Sequence, residues 1–157
     1  MNDALNPFST LQGYEAPHVT QYSVFLDNKV GKLLEIMRAF EHDHTCQIVS
    51  LCVIESSDHA VVRIITSNAA CAKRVLRENN FSYSELEVLV VLLEGDHSIL
   101  SMCATLMGAE LNIHFMYPLL WHDHGGAFAL AVDDPTFAGQ VLRRKEYCLL
   151  GEADFNT

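Results

Sequence analysis

The order in which strand-like and helix-like segments recur along the chain constrains the fold more than any other feature. Residues 19–27 are rich in β-branched and aromatic side chains, which is typical of a strand. Between Leu33 and Phe40, apolar residues recur at i, i+3, i+4 and i+7, the spacing of one helix face. The first half of the chain is therefore predicted as strand, helix, strand, strand, helix, strand, and the second half repeats this order. The predicted strands cover residues 19–27, 47–55, 60–66, 81–93, 112–120, 127–132 and 147–150.

This order is a tandem repeat of one supersecondary unit. Leu33 corresponds to Leu100 and Val62 to Ala129, so equivalent positions lie about 66 residues apart. A single βαββαβ unit forms a four-stranded antiparallel sheet that leaves its edges exposed, and two units in one chain can cover an edge of each other. We therefore predict an α+β fold in which two ferredoxin-like βαββαβ units pack side by side into one extended antiparallel sheet, with the helices on one face. Residues 1–17 are predicted to form an N-terminal arm, 18–86 the first unit and 87–157 the second.

Composition excludes several classes of protein. Half of the 157 residues are apolar, as in globular domains, and the formal charge of −10 argues against a nucleic-acid partner, which needs a basic surface. The longest apolar run, at residues 88–93, is too short to cross a bilayer, so no membrane partner is expected. Five cysteines without a CxxC spacing, together with an N-terminus unlike a signal peptide, predict reduced thiols in the cytoplasm.

Two segments carry a family resemblance. Residues 27–33 (DNKVGKL) resemble the loop that follows the first strand of ACT domains, although Val30 replaces the usual proline. Residues 112–117 (NIHFMY) resemble the entry into the second strand in small stand-alone tandem ACT proteins. The resemblance covers residues 19–155. It implies a non-catalytic regulatory or sensor protein that binds a small amino acid between two modules, forms a homodimer and acts on an enzyme or other protein in trans.

The resemblance also implies a ligand site between the loop of one module and the second strand of the other. Such a place suits a zwitterion for three reasons. N–H groups at a helix start donate to a carboxylate, a glycine lets the ligand approach the backbone, and asparagine both donates and accepts. The expected ligand-binding residues are Asn28, Val30, Gly31, Lys32, Leu33, Asn112, Ile113 and His114.

A second, pseudo-equivalent site would join residues 94–100 to the strand that begins near Gln47. There Gly95 stands in the position of Asn28, Ser98 in that of Gly31, and Gln47 in that of Asn112. Because the second site has lost the glycine and both asparagines, we expect one competent site per chain, at the first junction.

Two other functions stay open at this point. One is a ligand-free interaction scaffold that dimerises through sheet edges. The other is a metal-binding protein that uses two HDH clusters, at residues 42–44 and 122–124, since imidazole and carboxylate are plausible zinc or nickel ligands. His42 and His44 also suit the C-terminus of a helix, which favours positive charge. No nucleophile elbow, phosphate-binding loop or HExxH motif is present, so we expect neither catalytic residues nor a cofactor.

Overall fold

The computed structural model describes residues 17–120 and 126–156. Within these ranges the predicted elements are confirmed, with bounds that differ from the prediction by one or two residues. The strands are β1 (Val19–Asp27), β2 (Ile48–Glu55), β3 (His59–Thr66), β4 (Ser82–Leu93), β5 (Ile113–Pro118), β6 (Gly126–Val132) and β7 (Cys148–Leu150). The helices are α1 (Lys32–Glu41), α2 (Ala69–Glu78), α3 (Ile99–Gly108) and α4 (Pro135–Arg144), followed by a short 3₁₀ helix at Glu152–Asn156. In the described part of the chain, no helix is both long and apolar enough to span a membrane.

One antiparallel sheet joins the two halves through β4. The strand order is β2-β3-β1-β4-β6-β5, and β7 also pairs with β4. Residues 82–88 of β4 pair with β1, whereas residues 89–93 pair with β6. β4 therefore acts as the last strand of the first unit and the first strand of the second, which confirms two ferredoxin-like units in one sheet. The unit boundary predicted between residues 86 and 87 lies inside this shared strand.

Both helix pairs lie on one face of the sheet, as predicted. Ile36 and Leu76 pack against Val62 in the core of the first unit, and Leu106 packs with Val91 in that of the second. Alternation along a strand places every second side chain on the same face. Tyr83 contacts the first helical core, while Leu89 and Val91 belong to the second, so these odd-numbered positions of β4 face the helices throughout.

The helix-free face forms a third core, which the sequence pattern did not predict. Val88 and Val90 of β4 lie in one cluster with Ile65 of the first unit and Tyr117 and Ala129 of the second. The sheet bends until the strands at its two ends meet. The Leu120 amide donates to the Val49 carbonyl oxygen at 2.7 Å, and Ser50 Oγ donates to the Pro118 carbonyl oxygen at 2.8 Å.

Polar and cationic contacts fix the two units against each other inside this bend. The Tyr117 hydroxyl donates to Gln21 Oε1 at 2.6 Å, and the Gln21 side chain is fully buried. Burial raises the pKa of Tyr117 well above its usual value, so the hydroxyl stays a donor. The Arg63 guanidinium lies 3.6 Å from the centre of the Phe115 ring, a cation–π contact between β3 and β5.

Candidate functional site

The loop after β1 is tied to the hairpin between β2 and β3. The Asn28 amide nitrogen donates to the Asp58 carbonyl oxygen at 3.2 Å, and Asn28 Nδ2 donates to Glu55 Oε1 at 2.9 Å. Asp27 and Lys29 form an exposed ion pair at 3.6 Å. Asn28 therefore presents its side chain toward the end of β2, with Glu55 as an acceptor that the sequence analysis did not identify.

Gly31 begins α1 in a left-handed conformation, with φ +90°. No heavy atom lies within 4 Å of a Cβ placed there, and no side chain caps the helix. The first-turn N–H groups of α1 thus lack a side-chain acceptor. Neighbouring Val30 is fully exposed, Lys32 forms an ion pair with Glu35 at 3.3 Å, and Leu33 is exposed by more than a third. The start of α1 is therefore exposed to solvent around Val30 and Gly31.

Asp133 holds the other predicted half of the site, at the start of β5. The Asn112 amide nitrogen donates to Asp133 Oδ2 at 3.0 Å, and His114 Nε2 lies 2.8 Å from Asp133 Oδ1. The Asp133 amide in turn donates to the Asn112 carbonyl oxygen at 3.3 Å. Asp133 directly precedes Asp134 and Pro135 at the start of α4, where an acidic residue is typical of a helix cap. Asp134 caps that helix by accepting from the Phe137 amide at 2.9 Å. Because one acid is enough for the cap, the second acid beside it was the sequence feature that could have pointed to another role for Asp133.

A shallow cavity of about 430 Å³ adjoins the start of β5. Asn112 and Ile113 line it together with Cys103, Met107, Glu110 and Leu111, and none of residues 28–33 does. A similar cavity of about 530 Å³ lies at the equivalent junction of α1 with β2, near Gln47. The polar contacts of Asn28 thus lie within the first unit and those of Asn112 and His114 within the second.

The second junction has a different helix start. Ser98 caps α3 by accepting from the Ser101 amide at 3.1 Å, and Ser101 Oγ accepts from the Ser98 amide at 2.9 Å. These two serines form a capping box, whereas no side chain caps α1. Nearby, the His97 ring stacks on Tyr147 with centroids 3.9 Å apart. The two loops after the first strand of each unit therefore differ in whether side chains cap the helix that follows.

The first HDH cluster lies at the C-terminal end of α1 and in the turn that follows it. His42 is the C-cap residue of α1, and Asp43 accepts hydrogen bonds from Thr45, Cys71 and Arg74. These bonds, with those from Thr45 contributing most, hold the pKa of the Asp43 carboxyl well below its usual range. Across residues 17–120 and 126–156, no group of three or more potential ligands is arranged to hold a metal ion. The second cluster, at residues 122–124, lies outside the described residues.

Comparisons with known proteins agree with this architecture. The protein BT0572 from Bacteroides thetaiotaomicron is 22% identical, with a TM-score of 0.79 over 88% of this chain and 95% of that chain. The ligand-free regulatory subunit of aspartate kinase from Thermus thermophilus is 9% identical, with a TM-score of 0.54 over 82% of this chain and 93% of that chain. At these identities the likeness concerns the fold. A search of curated proteins gave no match.

A family model described as an ACT domain pair matches residues 18–157. That range includes both units of the sheet, and it confirms the resemblance seen in residues 27–33 and 112–117. ACT domains form a regulatory, ligand-binding fold. The chain belongs to the family of ACT domain pairs.

Proposed function

We propose that this protein is a non-catalytic regulator that binds one small amino acid per chain where the loop after β1 meets the start of β5. The proposed contacts come from Asn28, Val30, Gly31, Lys32, Leu33, Asn112, Ile113 and His114. The regulated enzyme or other protein is proposed to be a separate chain. The proposed compartment is the cytoplasm, where the five cysteines, all free thiols, would stay reduced.

The observation that carries the proposal is the antiparallel approach of β2 and β5. Val49 contacts Leu120 and Ser50 contacts Pro118, so advancing along β2 corresponds to going back along β5. Six residues beyond Val49 is Glu55, and six residues before Leu120 is His114. Glu55 accepts from Asn28 Nδ2. β2 and β5 are not paired along this length, so the proposal places the ligand in the gap between the loop after β1 and the start of β5.

The internal repeat relates the two ends of this strand pair. The register shifts between Ile48 and Ser50 in β2 and between Ile113 and Phe115 in β5, so each second strand has a bulge at the same place. Val49 and His114 are the equivalent bulge residues. In this alignment, equivalent residues of the two units are 65 positions apart, so His114 is equivalent to Val49 and Leu120 is equivalent to Glu55. The pair equivalent to Val49 and Leu120 is therefore His114 and Glu55.

The two ends of this strand pair differ in a way that favours one site per chain. At the closed end, Val49 and Leu119 are both buried. At the opposite end, Ile54, the counterpart of Leu119, is 37% exposed, and the His114 side chain is 50% exposed. Asn28, whose side chain donates to Glu55 at this end, lies three residues before Gly31, the N-cap residue of α1. These differences support a ligand site at the first junction and not at the second.

The chemistry of the groups at this junction suits a zwitterion. First-turn N–H groups of α1 and the positive end of its dipole favour the ligand carboxylate. The Glu55 carboxylate and the side-chain oxygen of Asn112 are acceptors for the ligand ammonium. Because the ligand would touch both units, binding stabilises one relative arrangement of the two, and a partner protein that prefers this arrangement responds to the ligand.

A thermal-shift panel of the twenty amino acids tests the proposal. At a hundredfold excess over its dissociation constant, a ligand stabilises by about 2.7 kcal/mol, which raises the melting temperature by about 5–10 °C in a chain of this size. We expect a shift with one or a few small amino acids, its loss in Asn112→Ala, and its retention in Gln47→Ala, the matched change at the second junction. An absence of any shift, or its equal loss in both variants, would contradict the proposal and favour the scaffold alternative.

A further inference from the structure

One row of apolar side chains stays uncovered on the helix-free face of the first unit. Phe25 of β1, Val61 of β3 and Ile54 of β2 are side by side on three paired strands, and we call these three residues the open row. Their neighbours Leu26 and Val62 belong to the helical core, so alternation directs the open row to the opposite face. Phe25 is 47% exposed and Ile54 is 37% exposed, so the row is open to solvent at both of its ends.

Arg63 lies on the same face as the open row, two residues along β3 from Val61. Its guanidinium stacks on the Phe115 ring of β5. Burial raises the pKa of Tyr117, and the positive charge of Arg63 counteracts part of that rise, so the guanidinium lies near both of these β5 side chains. Because β5 approaches β2, the guanidinium lies toward the Ile54 end of the open row.

The charge of Arg63 has no anionic partner in the described structure. The chain has 20 acidic and 10 basic side chains, and Lys32, Lys73 and Arg74 each pair with a carboxylate. Within residues 17–120 and 126–156, the Arg63 guanidinium makes neither a hydrogen bond nor an ion pair. The N–H donors of a guanidinium lie in its plane, so stacking on a ring leaves them available to an anion.

Two acids near this face are directed elsewhere. Asp27 pairs with Lys29 at 3.6 Å. It lies four residues beyond the β1 position that pairs with Arg63, about 13 Å along the strand. Glu55, next to the open row on β2, has the opposite orientation by alternation and accepts from Asn28 Nδ2. Neither carboxylate therefore neutralises Arg63.

The second unit fills the corresponding space with its own side chains. Equivalent residues of the second strands are 65 positions apart, so Cys52 matches Tyr117, and their cross-strand partners Arg63 and Ala129 match as well. This register is one residue away from the match of Val62 with Ala129 that the sequence predicted. Ala129 is fully buried, so an arginine in the first unit takes the place of a buried methyl group in the second.

The open row also has buried counterparts. In the same register it corresponds to Leu92, Ala127 and Leu119, which are all buried. Phe155 of the 3₁₀ helix lies in the same cluster as these three residues. This face is therefore covered in one unit and, in the part of the chain that the structure describes, left open beside a cation in the other.

We infer that the open row and Arg63 form a binding site for a medium-chain aliphatic carboxylate. The planar guanidinium holds the carboxylate by two hydrogen bonds, and the alkyl chain covers the open row. Two strand spacings separate Ile54 from Phe25, about 10 Å, which is about the length of an eight-carbon chain. A single cation beside an apolar row favours a monocarboxylate over phosphate, which carries more charge. The site lies on the face opposite to that of Asn28 and Glu55, so the inference is independent of the proposed amino-acid site.

Calorimetric titration of the full chain with octanoate tests the site. We expect one octanoate per chain, whereas acetate, which lacks the chain, and 1-octanol, which lacks the charge, should bind at least about tenfold more weakly. Binding should tighten by about three- to tenfold for each two methylene groups from butanoate to octanoate, and by less than about twofold from octanoate to decanoate, which is longer than the row. Binding of 1-octanol as tight as that of octanoate, or no octanoate binding at about 5 mM, would overturn the inference.

Substitutions test the two halves of the site separately. Arg63→Met should raise the Kd for octanoate by about tenfold or more, because the charged hydrogen bonds to the carboxylate are lost. Arg77→Met, on the exposed side of α2, is the matched control and should change the Kd by less than about twofold. Phe25→Ser should weaken octanoate binding by about threefold without changing acetate binding, which keeps the site testable if Arg63→Met does not fold.

Melting temperatures of all variants check that each one folds. Equal octanoate affinity in the wild type and a folded Arg63→Met would overturn the inference, as would equal affinity in the wild type and Phe25→Ser. A loss of octanoate binding in Asn112→Ala as large as that in Arg63→Met would also overturn it, because octanoate would then occupy the amino-acid site.

Discussion

The hydrogen bond between Tyr117 and Gln21 offers a direct test of how the two units close on each other. Tyr117→Phe removes the hydroxyl that donates to Gln21 Oε1 at 2.6 Å and keeps the ring in the helix-free core. Gln21 is fully buried, so its oxygen would be left without this donor, a loss of about 1–3 kcal/mol in the free energy of unfolding. For a chain of this length that corresponds to a fall of roughly 2–12 °C in melting temperature.

A double-mutant cycle separates this contact from general damage to the core. Urea unfolding would be measured for the wild type, Tyr117→Phe, Gln21→Leu and the double variant. Removal of both partners leaves no buried polar group without a partner. The double variant should therefore lose less free energy of unfolding than the two single variants together, and the coupling free energy between the two side chains should be at least 1 kcal/mol. Single losses that add to within about 0.5 kcal/mol would refute the reasoning, since additivity means that the two side chains do not interact across the units.

Two further predictions concern the first unit. The pKa of Asp43 is lowered in the folded chain, so its contribution to stability is present above the unfolded pKa of about 3.9 and is lost as the pH falls through the folded value. Asp43→Asn should thus unfold at a lower urea concentration than the wild type at pH 7, and the difference between the two urea midpoints should narrow below pH 4. An equal difference between the midpoints at pH 7 and pH 2 would contradict the prediction. Gly31→Ala places a side chain at φ +90° with no neighbour within 4 Å, so the cost is backbone strain of about 1 kcal/mol. Gly108→Ala, at an ordinary φ within α3 and with the same open space, is the control and should be neutral or slightly stabilising in the same unfolding assay. Equal losses of stability in both glycine variants would rule out the conformational reason.

Periodicity and repetition predicted the order of elements because each unit obeys local rules. Residues 19–27 form β1 with the predicted bounds, and the shared strand β4 begins one residue after its predicted start. The run of apolar residues at 88–92 is explained by burial on both faces, odd positions against helices and even positions in the helix-free core. A central strand of this kind loses the polar and apolar alternation of a strand with one wet face.

The bend of the sheet and the partners of the site residues depend on contacts between distant parts of the chain. Tyr117 and Gln21 are 96 residues apart, and no local pattern pairs them. Asn28 and Asn112 were predicted as site residues because they lie in segments that resemble a family motif. Glu55 and Asp133 were not predicted, because an acid at a turn or before a helix has an ordinary local explanation. Their roles follow only from the register that places them beside Asn28 and Asn112.

Calorimetric titration of the full chain with the amino acid that gives the largest thermal shift tests the central claim most directly. The account predicts a stoichiometry of one ligand per chain, abolished by Asn28→Ala or Asn112→Ala and preserved in Ser98→Ala, which alters only the capped start of α3. Two ligands per chain, or binding that survives both asparagine changes, would contradict it.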